Sequence, residues 1–585
     1  MNKRVFIILA VVILVAIATS VGVSLYGKKL PPKNYIIPSL RGFSTASGVV
    51  PHHLVAKEII ENFFQYILLK EEPRDIILLG PDHFNTASIV GKIFTSVDAG
   101  TKEFHDLAVN NFLLQKLDGS DLAFDNSAVN LDHGITTLLP YIKKYFPKSR
   151  VLPIVISSTA SKEDVEKLIN TINNYAGPQT IVVASVDFSH YLPPKAADFH
   201  DVKSIATLID FKENDFKDLE VDSWQALYGA RFFAKLKGKE FPNNIRHGKS
   251  SDFLKFDDSV DTEGVTSYFS VVFEGKNSQE TVQKGKAILL VGDIMLDRGV
   301  ESLIVKNSVI YPFQKIGQFL RGVDIVIGNL EGPIVKEPQN FPADSLTFNF
   351  LPRSADGLSW ANFNLLSLAN NHTINGGETG LEETRYFLKE KSIDFVGDPL
   401  KCTEKYSFKK DGVTVLAFNK TFPSSCSDEE LIDTIKLFKP SNPESFLIII
   451  MHWGEEYQKI NSVSQRELAH KIIEAGADTV VGHHPHVVQN IELYKNKLIF
   501  YSLGNFVFDQ YFSKDVQEGL GVGIEVYDSK IRCRLFPLQS GLSQPSLMAQ
   551  NDANKFLEDL AARSSSAILD KVKNGILEID RLAKL

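Results

Sequence analysis

With 585 residues, of which 44% are hydrophobic and 23% charged, the chain has a globular composition and exceeds what one hydrophobic core usually organises, so more than one domain is expected. A formal net charge of −8, without a concentrated stripe of lysine and arginine, excludes a nucleic-acid partner bound by phosphate neutralisation.

The first element in chain order is the uncharged run from Val5 to Leu25, flanked by Lys3, Arg4, Lys28 and Lys29. About twenty apolar residues span a bilayer, so residues 1–29 predict a single-pass anchor with the N-terminus cytoplasmic and the rest extracytoplasmic. The small residues Ala16-Ile17-Ala18 keep open a cleaved signal peptide and secretion. Three cysteines, Cys402, Cys426 and Cys533, are too few for a disulfide framework and leave room for one bridge, such as Cys402 with Cys426.

After a proline-bearing connector, short β-rich runs alternate with helical patterns, the rhythm of α/β architecture. Strands are predicted at Asp75–Leu79, Val151–Ile156, Thr180–Ser185 and Ser267–Phe273. A helix is predicted to start near Ser161, where Ser161-Lys162-Glu163-Asp164 reads as a capping box. Residues 276–286 read as a linker. Beyond it, strands are predicted at Ala287–Val291, Ile325–Ile327, Leu365–Leu368, Phe446–Ile450, Thr479–Val481 and Leu498–Tyr501. A helix capped by Ser464 and stopped at Gly476 is expected between two of them, and the tail beyond residue 545 reads as helical.

The second stretch ends its strands in polar motifs: Gly292-Asp293, Asn329-Leu330-Glu331, Asn370-Asn371-His372, His452-Trp453-Gly454, His484-Pro485-His486 and Gly504-Asn505-Phe506. Any one of them has a structural reading as a turn, a cap or a satisfied core histidine. Together, at the carboxyl ends of successive strands, they predict a shared ligand crevice. Carboxylate, amide oxygen and imidazole form a donor set for divalent Mn, Zn or Fe, and two such ions clamp both oxygens of an in-line phosphoryl displacement.

These motifs, in this order over residues 287 to 540, resemble the CapA/PgsA family of poly-γ-glutamate capsule proteins. The resemblance implies a calcineurin-like metallophosphoesterase fold over residues 287–545 and a partner that is an anionic surface polymer or its precursor. It further implies that Asp293 and His486 hold one metal, that Asn371, His452 and His484 hold the other, that Glu331 bridges, and that His372 protonates the leaving group. The broader phosphoesterase pattern has a histidine where this chain has Met295, which puts the first metal and the chemistry in question.

The first stretch carries Pro51-His52, Gly80-Pro81-Asp82-His83-Phe84, Leu131-Asp132-His133-Gly134 and Ser185-Val186-Asp187-Phe188-Ser189-His190-Tyr191. These resemble the Memo family, related in fold to non-haem iron dioxygenases, over residues 40 to 275, within a domain expected over residues 30–275. The resemblance implies a metal pocket of His52 and His83 with His133, Asp187 and His190 nearby. Asp222, standing in for a cysteine the chain lacks there, would complete a two-histidine, one-carboxylate set. The fold class expected is therefore α/β: an N-terminal transmembrane helix, a Memo-like domain, then a metallophosphoesterase-type domain. Three functions follow: a metal-dependent hydrolase or transferase of surface-polymer assembly, a non-catalytic assembly factor that binds polymer, and redox chemistry in the Memo-like domain.

Overall fold

In the computed structural model the strand Phe446–His452 is buried along its whole length, and its alternation shows why. Ile448 and Ile450 enter one hydrophobic cluster, while Leu447, Ile449 and Met451 enter another. A strand covered on both faces reads as a continuous apolar run rather than an alternating one.

The structure describes residues 43–581 apart from positions 90, 118, 120, 254–263, 277–281, 340, 343–344 and 439–444. Contacts group residues 44–585 into one unit. Its first sheet has ten strands among the described residues. Its centre holds β1 (Thr45–Val50), β2 (Asp75–Pro81), β3 (Arg150–Ile156), β4 (Thr180–Ser185) and β5 (Ser267–Glu274) in the order β3-β2-β4-β1-β5. The first four are mutually parallel and β5 runs antiparallel to β1. The helix Lys162–Tyr175 starts with a complete capping box of Ser161 and Asp164.

Two further sheets follow. One is built on β6 (Lys286–Ile294), β7 (Ile325–Leu330) and β8 (Leu365–Ser367), parallel neighbours in that order. The other is built on β9 (Val413–Asn419), β10 (Phe446–His452), β11 (Thr479–His483) and β12 (Lys497–Phe500), also parallel. Their inner faces meet in one cluster that joins Ile288, Leu290 and Ile327 to Val415, Ile448 and Val481. The first of the two sheets continues through β13 (Asn505–Val507), which pairs with β6, and through the antiparallel strands β14 (Glu518–Val526) and β15 (Lys530–Gly541).

Three expectations change. The helix near residue 464 is capped by Ser462 with Gln465, two residues earlier than its sequence suggested, and ends at Glu474 with Gly476 at φ 119° just beyond. The tail is helical only over Gln550–Arg563 and Leu569–Lys573, and closes with a strand, Ile576–Asp580, antiparallel to β15. No helix among the described residues is long and apolar enough to cross a membrane. This corrects both the fold class with a transmembrane helix and the single-pass membrane location; the run Val5–Leu25 that carried them lies outside the described residues. Cys402 and Cys426 are bonded to each other, and Cys533 is free and buried.

The first sheet is locked to the others by helix Pro194–Asp210, which buries eleven of its seventeen residues. Its Phe199, Ala196 and Val202 share a cluster with Leu289, Phe319 and Phe536. Its Lys203 Nζ donates to the Val323 carbonyl at 2.9 Å, and Asp198 faces Arg534 at 3.4 Å. Its His200 is fully buried, with Nε2–H donating to the Phe319 carbonyl at 2.9 Å. Burial pushes the His200 pKa down to about 4, whereas an unfolded histidine titrates near 6.5. The unfolded state therefore binds the extra proton between those values, and stability falls as pH drops from 6.5 to about 4, by up to about 3 kcal/mol. Urea unfolding at stepped pH is expected to show this slope, and His200→Gln to flatten that part of it.

Candidate metal centres

The carboxyl ends of β6, β7, β8, β10 and β11 converge, and each delivers a polar side chain. Asp293 is the penultimate residue of β6 and Glu331 immediately follows β7. Asn370, Asn371 and His372 follow β8, His452 ends β10, and His483 ends β11 in register with His452. Glycine at 292 permits the convergence: a Cβ there would lie 1.9 Å from the Gly504 carbonyl oxygen. His484 and His486 have φ of 96° and 58°, a left-handed conformation that costs energy for residues bearing a Cβ and collects at functional sites.

Two donor groups share Glu331. Asp293, Glu331 and His486 form one, and Glu331, His452 and His484 form the other; within each group one ligand atom per residue lies within 4.8 Å of the rest. Glu331 Oε1 is 3.8 Å from His486 Nε2 and 4.0 Å from His452 Nε2. Asn371 Oδ1 is 2.7 Å from His452 Nε2 and so belongs on the His452 side. Met295 is wholly buried in an apolar cluster with its sulfur against the Asp297 N–H, and supplies no donor to the centre.

The electrostatics describe a buried cluster short of positive charge at Glu331. Glu331 is fully buried and neither of its oxygens has a hydrogen-bond partner, a costly state for a carboxylate unless a cation compensates it. Burial, then Asp293, pushes its pKa well up. For Asp293 burial acts in the same direction, but the imidazoles of His483 and His486, 3.2 Å and 3.4 Å away, outweigh it and hold the carboxyl well below its usual range. His486 is raised to about 9 because Glu331 and Asp293 overcome its burial. His484 is lowered to about 4, by burial and then by His486. These residues fit a divalent metal: the carboxylate shared by the two donor groups is unsatisfied and imidazoles surround it.

His372 stands at the edge, with Nε2 4.0 Å from Glu331 Oε1. Asn375 Oδ1 accepts the Phe348 N–H at 2.9 Å and lies 3.1 Å from His372 Nδ1. An oxygen already accepting a backbone proton assigns the His372 proton to Nδ1 and makes Nε2, on the Glu331 side, the acceptor nitrogen.

The second cluster lies at the ends of β1, β2 and β4. His52 has its ring centroid 5.3 Å from those of both His83 and His133, which stack on each other at 3.9 Å. His83 Nδ1–H donates to Asp132 at 2.9 Å, and Asp132 also caps the turn bearing His133 through the Gly134 N–H. On the other side of His52, Nε2 lies 3.6 Å from Asp187 and 3.4 Å from Asp222. Two groups again share one residue: His52, His83 and His133, and His52, Asp187 and Asp222. Asp222 is thus placed with Asp187 rather than with His83. Burial, then Asp187, raises the Asp222 pKa well up, and its Oδ1 has no partner. His190 joins neither group; its carbonyl accepts from Gln318 Nε2 at 2.6 Å.

Reasoning from the motifs overlooked several contributors to the first centre. His483 Nδ1 is 3.2 Å from Asp293 Oδ1, Asn329 donates to the same oxygen at 2.9 Å, and Asn505 Oδ1 accepts from His486 Nδ1 at 2.9 Å. Asn329 and Asn505 stand inside the motifs and His483 directly precedes one, and the available signal was the twofold period of a strand, which fixes which side of the sheet each residue faces.

Residues 287–510 match the family described as bacterial capsule synthesis protein PGA_cap, and residues 33–273 match Memo-like protein. A capsule biosynthesis protein CapA of Bacillus anthracis is 32% identical over 315 residues, 50% of this chain and 76% of that protein. A PGA biosynthesis protein CapA of Bacillus subtilis (strain 168) is 34% identical over 238 residues, 38% of this chain and 62% of that protein, so less than two thirds of the latter is spanned. A MEMO1 family protein of Caldivirga maquilingensis is 24% identical over 221 residues, 35% of this chain and 77% of that protein.

If a cation compensates Glu331, a ligand at a hundredfold excess over its Kd adds about 2.7 kcal/mol of stability. Adding Mn or Zn to chelator-treated protein is expected to raise the melting temperature, while Glu331→Gln is expected to melt at one temperature with and without metal. A variant that responds as the unaltered chain does would remove the bridging role.

Proposed function

Because the chain belongs to the bacterial capsule synthesis protein family that includes CapA, and carries a Memo-like region ahead of it, we propose that it acts on an anionic surface polymer of the poly-γ-glutamate kind, or on its precursors, as a metal-dependent hydrolase. The observation that supports this most directly is Glu331, a buried carboxylate with two unpartnered oxygens between two imidazole-bearing donor groups.

In this reading Asp293, Glu331 and His486 hold one ion, and Glu331, Asn371, His452 and His484 the other. Divalent metal supplies a Lewis acid and an acidified water at neutral pH. The chain's own residues do the rest. Asn329 and His483 fix the Asp293 carboxylate, and Asn505 fixes the His486 ring, as outer partners of ligands do in tuned metal sites. His372, neutral after burial lowers its pKa, presents Nε2 to the reacting group and accepts its proton, returning it to the departing group. Three donors on the Asp293 side are compatible with turnover, since catalytic sites keep an open position where structural sites are closed.

Met295 favours one alternative: the position that would supply a further imidazole is a buried thioether outside the centre, so the weaker ion site suits an assembly factor that binds polymer without cleaving it.

The full chain should retain divalent metal through purification and cleave either a phosphodiester or poly-γ-glutamate, with His484→Ala losing at least about a hundredfold in rate, the scale of losing one electrostatic stabiliser. Bound metal with no turnover on either substrate class would select the assembly role, and absence of both would reject the two readings together.

A further inference from the structure

The carboxylate side of the second centre is built on two loops, and a residue that ties them together belongs to the other half of the chain. One loop follows β4 and carries Asp187 and His190; the other leads into helix Trp224–Leu236 and carries Glu220 and Asp222. They meet in a short antiparallel bridge, Phe188 with Val221. The Asp222 N–H donates to the Asp187 carbonyl at 3.2 Å, and the Asp187 N–H donates to Asp222 Oδ2 at 3.0 Å. Each loop thereby brings one carboxylate to His52 Nε2, and Asp222 keeps a buried Oδ1 without a partner, so the pair fits a cation as Glu331 does.

Two carboxylates facing one imidazole nitrogen repel when both are ionised, and a single bridge is a slender hold on the loops that bear them. A further hold comes from the short helix Gly317–Leu320 and the turn after it, which lie within the residues 287–510 that match the capsule family and outside the Memo-like match. Gln318 Nε2 donates to the His190 carbonyl at 2.6 Å and to Glu220 Oε1 at 2.8 Å. Both partners only accept, which turns the amide nitrogen toward them, and its two hydrogens serve one loop each. Beyond it the Gly322 N–H donates to the Asp218 carbonyl at 3.2 Å, and Lys203 Nζ joins that carbonyl, at 3.3 Å, to the Val323 carbonyl at 2.9 Å. Gly322, at φ 80°, has no room for a side chain: a Cβ there would lie 2.8 Å from the His200 ring and 3.1 Å from the Glu220 Cβ.

We propose that Gln318 is a positioning residue of the second centre: by joining the His190 carbonyl to Glu220 it sets the spacing at which Asp187 and Asp222 face His52, so that the capsule-family half completes an ion site whose donors all lie in the Memo-like half. Spacing matters because ligand atoms must stand within about 0.2 Å of a metal's preferred distance. A loop that drifts therefore loses affinity before it loses its fold. The assignment is independent of what the first centre acts on.

The test titrates the chelator-treated full chain with Co(II), whose visible absorption reports ligand geometry; the part of the signal that His52→Ala lacks belongs to the second centre. Gln318→Met, similar in length but without a donor, is expected to weaken Co(II) binding there about tenfold, the scale of losing an outer support, and to change its absorption. The His52-independent signal is expected to stay as it is. Gln318→Lys, whose ammonium donates to both acceptors, is expected to recover the affinity. Lys195→Met removes a different bond across the same seam, to the Asn574 carbonyl, and is expected to leave Co(II) affinity unchanged while lowering the melting temperature of the metal-free protein at least as much as Gln318→Met does. Unchanged affinity in Gln318→Met, equal weakening in Lys195→Met, or weakening that lysine does not recover would each overturn the proposal, and so would a chain with no His52-dependent signal.

Discussion

A carboxylate with no hydrogen bond, sealed from water, is an expensive object in a folded protein. Glu331 is such an object, and much of the capsule-family half can be understood as the scaffold that makes it tolerable. Parallel strands bring their carboxyl ends to one edge, glycine at 292 lets two backbones approach at a distance no side chain allows, and two histidines adopt a disfavoured backbone conformation to aim their rings inward. None of these features stabilises the chain by itself. They are explicable as the cost of keeping positive charge at one position.

The Memo-like half solves a similar problem with different parts. There the shared residue is a histidine, His52, and the carboxylates Asp187 and Asp222 crowd one side of it while His83 and His133 crowd the other. In both centres one residue belongs to two donor groups. In both, carboxylate oxygens stand without a hydrogen-bond partner, Glu331 Oε1 and Oε2 in one and Asp222 Oδ1 in the other, and the first centre adds the His483 and His484 Nδ1 atoms.

Much of the architecture was legible in the sequence because buried parallel strands advertise themselves as short apolar runs, and polar motifs at their ends are conspicuous against that background. Thr180–Ser185 is bounded in the structure as its composition implies, and the Ser161 cap closes its box as its side chains dictate. The cap near residue 464 was misplaced because Ser462 and Ser464 offer the same hydroxyl two residues apart, and only the reach of Gln465 back to the Ser462 N–H decides between them. The strand Ile576–Asp580 was invisible because it is a lone edge segment whose identity comes from its neighbour β15. The same limit hid His483, Asn329 and Asn505. Their types were plain, but whether a residue faces a metal centre or merely braces one that does is a matter of angle.

Helix Pro194–Asp210 has no exposed face of any size, since both the first sheet and the β6 sheet cover it, and its two lysines and its histidine donate to carbonyls of the far side. A gene cut anywhere near residue 280 would therefore yield two fragments that each carry half of a hydrophobic wall. The first would display Phe199 and Val202, the second Leu289, Phe319 and Phe536. Such surfaces seek partners, and in a cell they would find one another or a chaperone. The pairing of these two families in one polypeptide is thus a commitment in the physical sense: once that wall had formed, neither half could be inherited, expressed or exchanged alone without a new sequence to cover it.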